Sequence, residues 1–232
     1  IGEFVWTGFD YLGEPTPYDE KWPSRSSYFG MIDLAGIPKD RYYLYRSRWN
    51  NKDETLHILP HWNWKGREGE KTPVFVYTNY ESAELFVNGK SMGIQKKNNT
   101  TPQNRYRLMW MDVKYEPGTL KVVAFNDEGE PVAEKEVKTA GKPYKIVLSP
   151  DKRTIKSNGK DLSFVEVSLV DKNGNTVKDS LGKAIKVDKF KTIITLSFFF
   201  IQTALSFTYV QTIDTGSTLI FCANADTLIC IF

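Results

Sequence analysis

The sequence predicts a mainly β chain: one βα unit, then an immunoglobulin-like β-sandwich, the beginning of a second sandwich, and a tail of different character. Three observations carry this expectation. Residues 1–50 join a short apolar run to a long loop and then to a segment with helical spacing. From about residue 54 to 140, hydrophobicity alternates with period two between regularly spaced turns. A further alternating stretch opens near Lys142 and stops near Ser180, before the strands of a complete sandwich have been supplied. The corresponding segments are 1–52, 53–141, 142–180 and 181–232.

Glu3-Phe4-Val5-Trp6 reads as a short buried parallel strand. The loop after it is rich in Gly, Pro and aromatic residues, from Gly13-Glu14-Pro15 to Trp22-Pro23. Pro38 then suits the first position of a helix, where its missing N–H has no intrahelical partner to lose. Tyr42, Tyr45 and Trp49 fall on one face of that helix and are expected to pack inward. In the second segment Val74–Tyr77, Glu84–Val87, Tyr106–Met111 and Leu120–Phe125 read as strands. Asn88-Gly89 between two of the apolar runs signals a type I′ hairpin, because both central residues of that turn need positive φ. Glu116-Pro117-Gly118 and Asp127-Glu128-Gly129 mark further turns, and Lys96-Lys97-Asn98-Asn99 reads as a solvated loop. Tyr144–Leu148 and Leu162–Val170 open the next sandwich, with Asp171–Asn175 as the turn after them.

The tail departs from all of this. Between Thr192 and Phe232 the only charges are Asp214 and Asp226, and 192–213 carries none. That length could cross a bilayer, but the stretch is heavy in Ser, Thr and Gln and its flanks are wrong for a span. An aggregation-prone strand pair is a second reading. A tail foreign to the protein, from a frameshift or a mis-joined gene, is the third and the favoured one.

The bulk numbers exclude little else. The 232 residues are 41% hydrophobic and 25% charged, ordinary values for a globular protein, and the net charge of +3 gives no basis for expecting a nucleic-acid partner. Aromatic residues reach 14%, which suits both sandwich cores and sugar-stacking surfaces. The two cysteines, Cys222 and Cys230, form neither a disulfide framework nor a metal quartet. His57 and His61 have no further ligand at zinc spacing, so neither metal nor cofactor is expected. Residue 1 is Ile and no signal pattern follows, so the expectation is a piece of a longer protein.

The stretch Gly2-Glu3-Phe4-Val5-Trp6-Thr7-Gly8-Phe9-Asp10-Tyr11-Leu12-Gly13-Glu14-Pro15-Thr16-Pro17-Tyr18, continued by Trp22–Gly36, resembles the eighth barrel strand and following loop of glycoside hydrolase family 2 β-galactosidases. Pro38–Trp49 is similar to the last barrel helix. Leu56–Trp64 and Ala83–Ser91 are similar to the sandwich that follows the barrel in gut-bacterial members, and 142–179 to the start of the next one. The resemblance implies the end of a truncated (β/α)8 barrel ahead of the sandwiches, a β-galactoside as substrate, and a periplasmic or secreted enzyme.

It also implies that Trp6 lines the galactose subsite and that a cis peptide follows it at Trp6–Thr7. In a barrel of this kind the working residues sit on the loops after the strands. Trp6 and Asp10 are therefore the candidate sugar-binding residues, with Asp10 and Glu14 either bracing the loop or reaching sugar hydroxyls. A retaining glycosidase needs an acid/base and a nucleophile about 5 Å apart. The family draws both from earlier strands, so no catalytic residue is expected here and the chain alone should be inactive. β-Glucuronidases of the family carry Asn-x-Lys just before the glycine equivalent to Gly30, where this chain reads Ser26-Ser27-Tyr28-Phe29, so a neutral sugar is favoured. The same-family alternatives are a β-glucuronidase or β-mannosidase fragment; the alternative from another class is a non-catalytic immunoglobulin-like carbohydrate-binding or adhesion module. His61-Trp62-Asn63-Trp64 could face a second sugar ring, with packing between barrel and sandwich preferred.

Overall fold

The computed structural model describes residues 2, 4–12, 27–156, 158, 160–178, 219–223 and 228–231. Two compact units follow one another, Ile1–Thr139 and Ala140–Phe232.

The first unit is built on two antiparallel sheets. One has three strands, β1 (Leu56–Leu59), β2 (Val74–Thr78) and β5 (Leu108–Trp110), in the order β1-β2-β5. The other has four strands, β3 (Ser82–Val87), β4 (Lys90–Lys96), β6 (Thr119–Phe125) and β7 (Pro131–Lys138), in the order β4-β3-β6-β7. The alternation read from the sequence is what joins them. Ala83, Leu85 and Val87 from β3 and Leu120, Val122 and Ala124 from β6 form one core with Val74 and Val76 from β2 and Leu108 and Trp110 from β5. Their neighbours in sequence face outward, as period two requires. The β3–β4 hairpin has the expected turn, with Asn88 at φ 50° and Gly89 at φ 81°. Asn88 also ties this turn to the next one, accepting from the Thr119 N–H at 2.8 Å and donating to the Pro117 carbonyl at 3.2 Å.

Several expectations are corrected. The strand expected at Tyr106–Met111 is β5, shortened to Leu108–Trp110, because Tyr106 ends a short helix, α2 (Pro102–Tyr106), which the Thr101 side chain caps by accepting from the Asn104 N–H. Helix α1 spans Asp40–Trp49 with Lys39 at its N-cap, so Pro38 lies one residue before the cap. Its inward face is not the Tyr42–Tyr45–Trp49 stripe, since Trp49 is 67% exposed and the one buried residue of the helix is Ser47. Instead Tyr43 stacks on His57 of β1, with ring centroids 3.9 Å apart, and the His57 Nε2 meets Asp40 at 2.7 Å. The helix lies against the outer face of the three-stranded sheet, and helical spacing alone does not say which side of a helix meets a neighbour.

Lys97, expected in a solvated loop, is buried: its ammonium donates to the Thr78 carbonyl at 2.8 Å and lies 3.9 Å from Glu81. Burial holds its pKa below the ordinary lysine value, against the opposing pull of Glu81 and with the help of Arg48. A basic pair in a turn region reads as surface because the carbonyl it serves lies 19 residues away.

Among the described residues, Phe4–Gly8 form no strand, and Phe4 is fully exposed. A strand of a parallel sheet takes its hydrogen bonds from strands on either side. Among the described residues, the segment pairs with residues 31–32 alone, through the parallel bridge Phe9↔Ile32 and the bonds of Met31 and Ile32 to Thr7 and Gly8.

The second unit is organised around β8 (Lys145–Pro150) and β9 (Ser163–Val170), an antiparallel pair matching the two expected strands. The backbones of β10 (Leu219–Ala223) and β11 (Leu228–Ile231) extend the sheet to the order β11-β10-β9-β8. The 192–213 stretch weighed as a membrane span lies outside the described residues, among which no helix is long and apolar enough to cross a membrane.

The turn after β9 is stapled by Asp171. Its carboxylate accepts from the backbone N–H groups of Gly141, Asn173 and Asn175 at 2.8, 2.8 and 2.9 Å, and from the Asn175 side-chain amide at 3.0 Å. These donors, the Gly141 N–H first, favour the charged form and lower its pKa to about 2. A depressed acid pKa contributes stability that is complete above the ordinary value of 3.8 and is lost as pH falls through the folded value. Acid unfolding of the second unit, followed by β8–β9 amide exchange, is therefore expected to steepen between pH 4 and 2. Asp171→Asn should flatten that dependence and lower stability at neutral pH; an unchanged acid profile would exclude the staple.

Candidate functional site

The candidate site is assembled from residues 6–12, residues 27–32 and the start of α1. The first two run side by side. The Met31 and Ile32 N–H groups donate to the Thr7 and Gly8 carbonyls at 3.2 and 3.0 Å, Asp10 N–H to the Ile32 carbonyl at 2.9 Å, and Ser27 N–H to the Tyr11 carbonyl at 2.9 Å. Gly30 permits this approach, because a Cβ there would lie 2.2 Å from the Asp10 nitrogen and 2.4 Å from the Phe9 carbonyl carbon.

Trp6 stands at the head of this pair of segments and is 72% exposed. Its indole N–H donates to the Tyr11 hydroxyl at 3.2 Å, and the two rings meet edge to face with centroids 5.8 Å apart. Among the described residues, the orientation of this exposed indole is set by a neighbour five residues on. The Trp6–Thr7 peptide is cis, as the resemblance implied.

Asp10 is buried, and both its oxygens are engaged within the chain. One accepts from the Gly30 N–H at 2.7 Å and from the Ser27 hydroxyl at 3.5 Å, and the other pairs with the Lys39 ammonium at 2.6 Å. Ser27, also buried, accepts from the Tyr11 N–H at 3.1 Å. Of the two roles the sequence left open for Asp10, this geometry serves loop bracing. Glu3, Glu14, Asp19 and Glu20 lie outside the described residues.

Sequence reading missed Lys39, Ser27, Gly30 and Tyr11. Gly30 carried a faint signal as a glycine amid aromatic residues; Lys39 carried none, being 29 positions from the carboxylate it serves. Around Trp6, large apolar side chains lie open: Phe4, Phe9, Leu12, Tyr28 and Phe29 are between 37% and 105% exposed.

The aromatic run 61–64 is divided between a core position and half-buried ones. Trp62 is fully buried in the sandwich core, with its N–H on the Glu116 carbonyl at 2.9 Å, while Trp64 carries His61 stacked at 4.3 Å and the Arg67 guanidinium at 4.8 Å. Trp62 belongs to the sandwich core, and Trp64 packs against it.

The described residues thus give a mainly β chain in which an antiparallel sandwich follows a braced aromatic loop. The chain belongs to glycoside hydrolase family 2. Residues 146–187 match the family described as glycoside hydrolase family 2 C-terminal domain 5, and residues 69–133 match a domain of unknown function, DUF4982. Over 180 residues the chain is 51% identical to the β-galactosidase BoGH2A of Bacteroides ovatus, covering 77% of this chain and 20% of that protein. It is 37% identical over 175 residues to a putative β-glucuronidase of Formosa agariphila, covering 75% of this chain and 16% of that protein. Among solved structures, a glycosyl hydrolase family 2 member from Bacteroides cellulosilyticus superposes with a TM-score of 0.68 at 33% identity, covering 79% of this chain and 27% of that one. The chain therefore spans a fifth or less of the length of these two curated relatives.

Proposed function

We propose that this chain is the C-terminal portion of a retaining β-galactosidase, in which residues 1–52 close a (β/α)8 barrel and Trp6 forms one wall of the galactose site. The observation that carries the reading is Trp6 itself: exposed, held at its edge by Tyr11, and raised on a loop whose buried carboxylate is fully engaged. A β-galactoside presents an apolar face that an indole can cover, and an indole oriented in advance loses little freedom on binding. Asp10 serves this wall by bracing it. The acid/base and nucleophile belong to strands outside this chain, and the open side chains of Phe4, Phe9, Leu12, Tyr28, Phe29 and Trp49 are the surface that those strands and helices cover. The sandwich of residues 53–141 follows the barrel in the chain, and residues 142–180 begin the next domain.

A β-glucuronidase is the second reading, favoured by the name of the Formosa relative. Ser27 argues against it, because its hydroxyl is turned inward between Tyr11 and Asp10 rather than toward a sugar carboxylate.

Full-length protein is expected to turn over an aryl β-galactoside faster than the matching β-glucuronide, and the 232-residue chain alone to turn over neither. Trp6→Ala in the full-length protein should lower kcat/KM about tenfold or more, the loss of one stacked ring in a binding site. Turnover by the isolated chain would place catalytic carboxylates within it and sink the proposal.

A further inference from the structure

We propose that Lys39 is a positioning residue for the Trp6 wall, acting through Asp10; this rests on the reading of Trp6 given above. The local sequence offers no reason for a lysine at this place. Lys39 is the N-cap of α1, makes no capping bond with its side chain, and puts a positive charge at the positive end of the helix dipole. A residue that breaks a local rule is explained by what it does in the tertiary structure.

Its ammonium joins three segments that are distant in sequence. It meets the Asp10 carboxylate at 2.6 Å, donates to the Tyr28 carbonyl at 3.3 Å, and sits on the backbone that starts α1, where the Lys39 N–H donates to the Met31 carbonyl at 2.9 Å. Tyr28 has φ 61°, a conformation that costs a non-glycine residue and persists where surrounding contacts enforce it. Asp10, four residues from Trp6, hands its other oxygen to the Gly30 N–H and the Ser27 hydroxyl. Without the ammonium the buried carboxylate loses its counter-ion, and the contacts between residues 6–12 and 27–32 lose their anchor on the helix. Among the described residues the Lys39 ammonium is bound to Asp10 and Tyr28, so its influence on a sugar passes through the position of the loop.

The test uses the full-length protein and an aryl β-glycoside that it turns over. Lys39→Met is expected to lower kcat/KM about tenfold, mostly through KM, as a loop displaced by a fraction of an ångström would. Lys39→Arg should recover most of that loss, since a guanidinium keeps the ion pair. On a Trp6→Ala background, Lys39→Met should add less than about twofold, because the two changes remove the same interaction. An equal tenfold loss on both backgrounds overturns the proposal while leaving the sugar-wall reading intact. A Trp6→Ala enzyme with wild-type kinetics overturns the sugar-wall reading itself. If Lys39→Met does not fold, Asp10→Asn/Lys39→Met removes both charges; it should fold and still show the raised KM, and a wild-type KM from that pair overturns the proposal.

Discussion

Trp62→Ala is expected to destabilise the sandwich unit by about 4 kcal/mol, the scale measured when large aromatic residues are removed from well-packed cores. Trp62 is fully buried, and its ring meets Tyr115 edge to face at 5.0 Å. Its N–H satisfies the Glu116 carbonyl, which leads into the turn at Pro117-Gly118. Truncation thus opens a cavity and leaves a backbone acceptor without its donor, and the two penalties add. In a thermal melt of the chain, the first transition should move down by about 10 °C or more. Trp62→Phe should fall between, keeping most of the ring and losing the hydrogen bond, at about 1–2 kcal/mol. A Trp62→Ala melt within about 2 °C of wild type would remove Trp62 from the core.

Gly30→Ala should have the second largest effect, of about 3 kcal/mol, and it should be local. The three atoms a new Cβ would strike are all backbone: the Asp10 nitrogen at 2.2 Å, the Phe9 carbonyl carbon at 2.4 Å and the Ile32 carbonyl oxygen at 2.7 Å. None can swing aside as a side chain would, so the two segments must part. Parting them breaks the Gly30 N–H bond to Asp10 and the parallel bridge between Phe9 and Ile32. Amide exchange should show lost protection at Asp10, Ser27, Met31 and Ile32, with the sandwich strands unchanged. Gly8→Ala is the control, because nothing lies within 4 Å of its added Cβ and the site should tolerate it. Unchanged protection in Gly30→Ala would mean that the segments are held by something other than this contact.

The contrast between these two residues shows what local sequence can carry. The sandwich was legible because its information is short-ranged. Leu85, Val87, Leu120, Val122 and Ala124 alternate with outward-facing neighbours, and Asn88-Gly89 permits a turn that few other pairs do. The Trp6 loop was legible in part, through the motif that Trp6 and Asp10 share with the family. Its bracing was not, since Ser27, Gly30 and Lys39 lie 17, 20 and 29 positions from Asp10 and no periodicity links them. Lys97 and Trp62 failed for the same reason. Each looked like a surface or interdomain residue by composition, and each is committed to a backbone carbonyl far along the chain.

By itself, then, the sequence determined the class of the fold, the strands β2, β3, β5 and β6 of the core, the turn that registers β3 on β4, and the family to which the chain belongs. These depend on alternation, turn chemistry and motif, all written within a few residues. Tertiary structure alone decided which face of α1 is buried, where the charges of Asp10, Lys39 and Lys97 come to rest, and how closely the segments around Gly30 approach. A buried charge has to find its partner wherever the fold brings one, and that placement depends on the whole chain rather than on its neighbours in sequence.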